Sequence, residues 1–353
     1  MTDMPLVSVV IATCNRAHLL RQAIESVLAQ DYPEFEIIIV DDCSTDRTPE
    51  VVAAIGEEHE RVRSMRLPQN SGASAARNAG IRGAQGGLIA FLDDDDKWLP
   101  GKLSAQVNAL QAHPESALCY AKALSGSPEG IATTRPYVGT DRGRSGDNFE
   151  NQLRYHAIKT PTVLVRAEVL EEVGLFDEKL PTAEDTDLFL RITLHHPATY
   201  LPDPVAVVRE HPGRMTRDDK RAGRQDRCTL TVLGRLWDDL PPSRSSLRGL
   251  VAEHLAHSSL ALARSESGGP PDAGTIQSIV EEHADWFRFP ESHFPLALAY
   301  AACGSSRQAR AAARRAIEQP KMSKSRKLAA WALCVWPTPA FRLWDYLKRR
   351  ELP

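Results

Sequence analysis

Four consecutive aspartates, Asp93-Asp94-Asp95-Asp96, stand out in this chain of 353 residues. Two more, Asp41-Asp42, close an earlier apolar stretch, and Thr13-Cys14-Asn15-Arg16 closes the first such stretch. If these segments share one edge, six carboxylates converge, and like charges that close repel strongly unless protons or a cation neutralise them. A divalent cation is the simplest answer. The donors are hard oxygens with no convergent His/Cys set, which favours Mn2+ or Mg2+ over zinc. Such ions commonly bridge a few protein carboxylates to phosphate, so a phosphate-bearing substrate is expected. An isolated acid run would be read first as a solvated turn or a helix cap. The apolar run Leu88–Leu92 directly upstream favours a strand end.

Ligands of open parallel sheets bind beyond the carboxyl ends of the strands, so the elements before these residues must be strands. Val7–Ala12, Phe35–Val40 and Leu88–Leu92 are continuous apolar runs, the pattern of strands covered on both faces. Amphipathic helical patterns fill Ala17–Gln30, Thr48–Glu58, about Gly72–Ala84 and Pro100–Gln111. Strand alternating with helix implies a parallel sheet. Strand-like Thr162–Arg166 and Val205–Val208 and helices at Ala167–Val173 and Glu184–Leu194 complete a first domain, 1–217. The Gly-, Ser- and Arg-rich stretch Ser125–Asn151 shows little periodicity and reads as a lid. From 218 to 353 strand signals vanish and Ala-, Leu- and Arg-rich helical patterns take over.

Three segments occur in order with suitable gaps: Val7-Ser8-Val9-Val10-Ile11-Ala12-Thr13-Cys14-Asn15-Arg16, Ile39-Val40-Asp41-Asp42-Cys43-Ser44-Thr45-Asp46 and Phe91-Leu92-Asp93-Asp94-Asp95-Asp96. Between the last two lies Asn70-Ser71-Gly72-Ala73-Ser74-Ala75-Ala76-Arg77-Asn78-Ala79-Gly80. From about Leu6 to His211 the chain resembles family 2 glycosyltransferases of the GT-A fold, in bacterial form with a helical C-terminal extension. The resemblance implies an α/β fold, Rossmann-like, with a mostly parallel sheet and helices on both faces. It implies transfer of a sugar, hexosyl in type, from a nucleotide-diphosphate donor to a hydroxyl acceptor (saccharide, glycolipid or other) with inversion, UDP-sugar being the first choice.

Carried over position by position, Thr13 and Asp42 would hold the nucleoside, with Asn15 and Arg16 beside them, and Arg77 would reach the base or phosphate. Asp94 and Asp93 would lie near the donor, while Asp95, Asp93 and His211 would hold the metal. Thr182-Ala183-Glu184-Asp185 resembles the element that opens a helix at the acceptor site, making Asp185 the general base with Glu184 beside it. Acids in a first helical turn also complement the helix dipole without any catalytic task, and a lone histidine after a strand is more often merely hydrogen-bonded. Asp187 points elsewhere on that helix and reads as structural. Trp98 reads as packed against the sheet edge, with stacking on a sugar as the alternative. Cys14 and Cys43 stand where the family shows Tyr or another polar residue, and neither is expected to carry chemistry.

With 42% hydrophobic and 25% charged residues and a formal net charge of -3, the composition excludes disorder and bulk nucleic-acid binding. Six scattered cysteines without a C-x-x-C pair suit a reduced, cytoplasmic protein. Between Arg307 and Lys327 eight basic residues face the single acid Glu318, and Trp331, Trp336, Phe341 and Trp344 follow. That combination suits peripheral contact with the inner face of an anionic membrane, or equally a solvated basic face over core tryptophans. Leu296–Pro320 resembles one tetratricopeptide-type hairpin, too little to form a repeat array. Two rivals remain: a nucleotidyltransferase, disfavoured because Thr13–His18 lacks a glycine-rich phosphate loop, and a non-catalytic sugar-nucleotide scaffold acting through the helical tail.

Overall fold

The computed structural model describes residues 4–127, 129, 131–211, 223–266, 271–319, 322 and 324–335. The chain divides into two compact units, Met1–Arg214 and Met215–Pro353. Trp336, Phe341, Trp344, Lys321 and Arg214 lie outside the described residues.

In the first unit the elements run β1 (Val7–Thr13), α1 (Ala17–Leu28), β2 (Phe35–Asp41), α2 (Thr48–Glu58), β3 (Val62–Arg66), α3 (Ala73–Gly83), β4 (Leu88–Asp93) and β5 (Lys97–Trp98). They continue α4 (Lys102–Ala112), β6 (Leu118–Gly126), β7 (Ala132–Pro136), α5 (Phe149–Tyr155), β8 (Leu164–Arg166), α6 (Ala167–Val173), α7 (Glu184–His195) and β9 (Ala198–Arg209). All nine strands form one sheet in the order β3-β2-β1-β4-β8-β6-β9-β5, with β7 paired to β6. The β3-β2-β1-β4 half is parallel throughout. The other half is mixed, because β8 runs antiparallel to both β4 and β6 while β6 and β9 are parallel.

Every residue of β2 is buried, which is why it reads as an unbroken apolar run. Successive side chains still point to opposite faces. Val9, Ile11, Ile37, Ile39 and Leu92 pack under α1, α2 and α4, through Leu20, Ile24, Val27, Val52, Ile55, Leu103 and Val107. Val10, Ile89 and Phe91 pack on the other face against Val169, Leu170, Leu188, Phe189 and Ile192 of α6 and α7. Gly80 lets α3 approach the sheet, since a Cβ there would lie 2.4 Å from Val10 Cγ1.

The stretch read as a lid carries its own structure. Ser125 and Gly126 end β6, β7 folds back on β6, and Gly146 bridges to Ala198. The Tyr120 hydroxyl donates to Arg144 O and accepts from Arg144 N, each at 2.9 Å, which ties this segment to the sheet. Its Gly/Arg composition hides a hairpin whose hydrogen bonds, rather than side-chain periodicity, define it.

The second unit shows only helices among its described residues: α8 (Arg224–Asp239), α9 (Arg248–Glu266), α10 (Ala273–Glu282), α11 (Ala284–Phe287), α12 (His293–Ala302), α13 (Ser306–Ile317) and α14 (Lys324–Val335), plus short 3-10 turns. Its core joins Ala256, Leu260, Ile276, Phe287, Phe294, Ala297, Tyr300, Ala309, Ala313, Ala330 and Leu333. Gly304, at φ +82°, makes the turn between α12 and α13. No helix among the described residues is long and apolar enough to cross a membrane.

Candidate active site

The sheet register brings the chemical residues together. Thr13 at the end of β1 sits opposite Asp41 at the end of β2, and Ala12 sits opposite Asp93 at the end of β4. The buried Thr13 hydroxyl donates to Asp94 Oδ2 at 2.7 Å. Asn15 adopts φ +56°, a conformation asparagine tolerates better than most residues. From there its Oδ1 accepts from the backbone N–H groups of Thr45 (2.7 Å) and Asp46 (3.2 Å), tying the loop after β1 to the loop after β2.

Asp42 is buried, and its two carboxylate oxygens accept from Ser71 N (2.7 Å) and Gly72 N (2.8 Å). Gly72 has φ +89°, so a glycine is needed where this turn enters α3. Asp41 accepts from Ser44 N at 3.0 Å and pairs with Arg66 at 2.9 Å. The wall formed by Thr13, Asp42 and the Ser71-Gly72 turn is thus set by backbone donors on a fixed carboxylate. The sequence-based assignment of Asn15 and Asp42 to a ligand leaves out this framework role.

The four aspartates have four different environments. Asp93 pairs with Arg77 at 2.7 Å, Asp94 with Thr13, and Asp95 with Arg16 at 2.5 Å and with His211 Nε2 at 3.0 Å, while Asp96 accepts from Arg209 N at 3.0 Å. Burial, and then the charge of Asp95, push the Asp94 carboxyl up to about 7, against the opposing pull of Arg16 and the Thr13 hydroxyl. Oxygen atoms of Asp93, Asp95 and Asp96 lie within 4.8 Å of one another. Three hard donors at that spacing fit a divalent cation.

Arg16, Arg77 and Arg209 already surround the acid run, so repulsion alone does not call for a metal. A cation at Asp95 would share that carboxylate with Arg16 and His211. Geometry brings Asp96 into the cluster alongside the expected Asp93 and Asp95, with His211 adjoining through Asp95.

Arg77 is buried, with one guanidinium nitrogen 2.7 Å from Asp93 and another 2.7 Å from Glu184 at the first turn of α7. Its plane lies over Phe176, 5.3 Å from the ring centroid. A planar fork suits two carboxylates at once, and both neighbours hold the guanidinium protonated. Burial raises the Glu184 carboxyl while Arg77 pulls it down.

Asp185 follows Glu184 and is half-buried, with Oδ1 accepting from Thr186 N at 2.6 Å. His156, missed by sequence reading, lies behind it in a left-handed conformation after α5, Nδ1 3.4 Å from the Thr186 hydroxyl. Burial pushes this imidazole down to about 4, so it is neutral at ordinary pH. Arg209 is also a missed residue: fully buried, it donates to Asp95 O, to Asp96 O at 3.3 Å and to Gln22 at 3.1 Å, clamping the acid loop. Only a basic residue at a strand end pointed to it. Asp187 pairs with Arg191 at 2.8 Å on its own helix, and Trp98 is buried with its indole N–H on Pro161 O at 3.0 Å, both as read from sequence.

Residues 8–173 match the family described as Glycosyl transferase family 2. The chain is 36% identical over 199 residues to WcaA of Escherichia coli, described as a colanic acid biosynthesis glycosyl transferase, covering 56% of this chain and 69% of that one. The chain belongs to glycosyltransferase family 2. TuaG of Bacillus subtilis, described as a teichuronic acid biosynthesis glycosyltransferase, is 45% identical over 103 residues, which is 29% of this chain and 41% of the relative. The chain thus spans well under half of one of these relatives and about two thirds of the other.

Among solved structures, S. aureus TarS 1-349 in complex with UDP-GlcNAc aligns with a TM-score of 0.59 at 18% identity, covering 98% of this chain and 92% of that one. The mannosyltransferase PcManGT of Pyrobaculum calidifontis, in complex with GDP-Man and Mn2+, aligns at 0.53 and 21% identity, covering 86% and 87%. These likenesses show the fold: the sheet with flanking helices is the GT-A arrangement, followed by a helical C-terminal region.

Proposed function

We propose that this family 2 glycosyltransferase moves a hexosyl group from a nucleotide-diphosphate sugar, UDP-linked by preference, to a hydroxyl acceptor in bacterial polysaccharide assembly, with inversion. One observation carries the reading. Arg77 joins Asp93, in the acid run after β4, to Glu184, the residue before Asp185, so one buried cation holds the donor motif and the acceptor-side helix together.

Thr13, Asp42 and the Ser71-Gly72 turn would form the nucleoside wall, and Arg16 the cationic side facing the diphosphate. Asp95, with Asp93 and Asp96 and with His211 adjoining, would hold Mn2+ or Mg2+, which when bound supplies positive charge to the departing diphosphate. Asp185 takes the proton from the acceptor hydroxyl as its oxygen attacks the anomeric carbon. The bond from that carbon to the phosphate oxygen breaks on the opposite side, and the electron pair leaves with the nucleotide. A single displacement of this kind inverts the anomeric centre. His156 behind Thr186, held neutral by burial, adds no positive charge beside Asp185.

The UDP-GlcNAc held by TarS and the GDP-Man held by PcManGT support a nucleotide sugar, and the polysaccharide pathways of TuaG and WcaA support the acceptor class. The six free cysteines support a reducing, cytoplasmic setting. If the acceptor is carried on a lipid, the enzyme works at the inner face of a membrane.

The test is calorimetric titration with UDP, GDP, TDP and CDP, each with Mn2+ and then with excess chelator. Chelator-sensitive binding of one nucleotide supports the reading and names the donor class. Absence of binding to all four sinks it and favours a non-catalytic scaffold.

A further inference from the structure

Helix α13 has two faces. Ala309, Ala312, Ala313 and Ala316 are buried, while Arg307, Arg310, Arg314 and Arg315 are exposed. Arg307, Arg310 and Arg314 follow one another at i, i+3 and i+7, the spacing of a single stripe about 10 Å long at 1.5 Å per residue. None of the three forms an ion pair among the described residues, although Arg21, Arg63, Arg82 and Arg227 elsewhere on the surface do. Three unpaired guanidinium groups in a row repel one another and await an anionic partner.

The neighbouring helix, α14, adds the apolar half. It buries Ala330 and Leu333, yet exposes Leu328 at 67% and Trp331 at 57%, two of the six exposed large apolar side chains among the described residues. Arg314 acts electrostatically on the Cys334 thiol, which places the arginine stripe beside one edge of α14. Turning about α14 from Cys334 at 100° per residue, Lys327 stands about 20°, Trp331 about 60° and Leu328 about 120° round the helix in one direction. The arginine stripe therefore continues into one lysine and two exposed apolar residues on the adjoining helix.

We propose that Arg307, Arg310, Arg314, Lys327, Leu328 and Trp331 form a surface that docks on an anionic lipid bilayer, the basic groups meeting headgroups while the indole and Leu328 enter the interface. Charge complementarity selects this occupant, and the exposed apolar pair distinguishes a bilayer from a soluble polyanion. An indole suits the headgroup level because one end is apolar and the other polar. Each basic residue near an anionic surface adds about a fivefold gain in partition, so the four cations dominate and the two apolar side chains hold depth. This surface does not depend on the transferase reading.

The test is co-sedimentation of the full chain with vesicles of phosphatidylcholine alone and of phosphatidylcholine with roughly one third phosphatidylglycerol. Expected are binding to the anionic vesicles only, release by high salt, and a blue-shifted tryptophan emission that Trp331→Ala removes. Arg310→Gln with Arg314→Gln should weaken partition about 25-fold, two steps of about fivefold. Circular dichroism confirms that these surface variants fold. Equal binding to neutral vesicles, absence of binding to anionic ones, or full retention by the double variant overturns the proposal. So does a preference for RNA over anionic vesicles in direct competition.

Discussion

Lys102 offers a test of the energetics beneath the acid run. Its side chain is completely buried at the first turn of α4, with Nζ 2.6 Å from Gln106 Oε1, 3.3 Å from Val163 O and 4.1 Å from the centroid of Trp98. Desolvation pushes the amine down from 10.5 to about 7, and two acceptors match the two donors of a neutral amine. The unfolded chain takes up this proton near 10.5 and the native chain near 7, so between those values the unfolded state binds more protons and stability rises with pH. Below about 7 both states are protonated and the cost is full, about 5 kcal/mol from 3.5 units at 1.36 kcal/mol each.

Lys102→Met removes that cost but strips Gln106 of its donor, worth about 1–3 kcal/mol. The variant should therefore be more stable than wild type by about 2–4 kcal/mol near pH 6.5 and about equal near pH 9.5. Urea titrations read by hydrogen exchange on β1 and β4 peptides report the first unit separately from the helical one. A stability difference that stays flat over that pH interval would show that Lys102 keeps its proton in the native state, and the reasoning would fail.

Asp185→Asn should lower transfer by about 100-fold or more while donor affinity, read by calorimetry, stays within about twofold; retained transfer removes Asp185 as the base. Asp95→Ala should weaken donor binding in Mn2+ and make the remainder insensitive to chelator, whereas unchanged chelator sensitivity would place the metal elsewhere. Arg77→Ala leaves two carboxylates facing one another in a buried site and should cost about 3–5 kcal/mol in denaturant titrations. Arg77→Lys, which cannot fork, should recover only part of that.

How much of this was legible beforehand depends on what kind of signal each residue carries. Strands β1, β2 and β4 announce themselves because both of their faces are covered, so Ile37, Ile38 and Ile39 can all be apolar. Strand β3 passes unnoticed, being an edge strand with exposed Arg63, Ser64 and Arg66. Strand β6 is nearly as buried as β2, yet Cys-Tyr-Ala-Lys-Ala at its centre lacks the β-branched residues that mark a strand. The mixed half of the sheet follows from β8, three residues long, which no pattern of that length can orient. At the site, the acids are legible from their positions after strands. Their cations are not, because Arg77 lies 16 residues from Asp93 and 107 from Glu184, and only the fold brings them together.

Strand β5 is two residues long and pairs with β9, Lys97 against Val207 and Trp98 against Ala206. Arg209, the last residue of β9, reaches back 113 residues to Asp96 and also donates to Asp95 O. During synthesis the chain emerges N-terminus first, and loop closure over such a span is slow. The parallel half of the sheet can therefore assemble while β9 is still being made, with Thr13 and Asp42 already in place and the acid loop still unclamped. The acid loop is finished last, by the strand that closes the first unit, and a nascent chain stopped before Ala198 would hold Thr13 and Asp42 in place while the spacing of Asp95 and Asp96 is still unset.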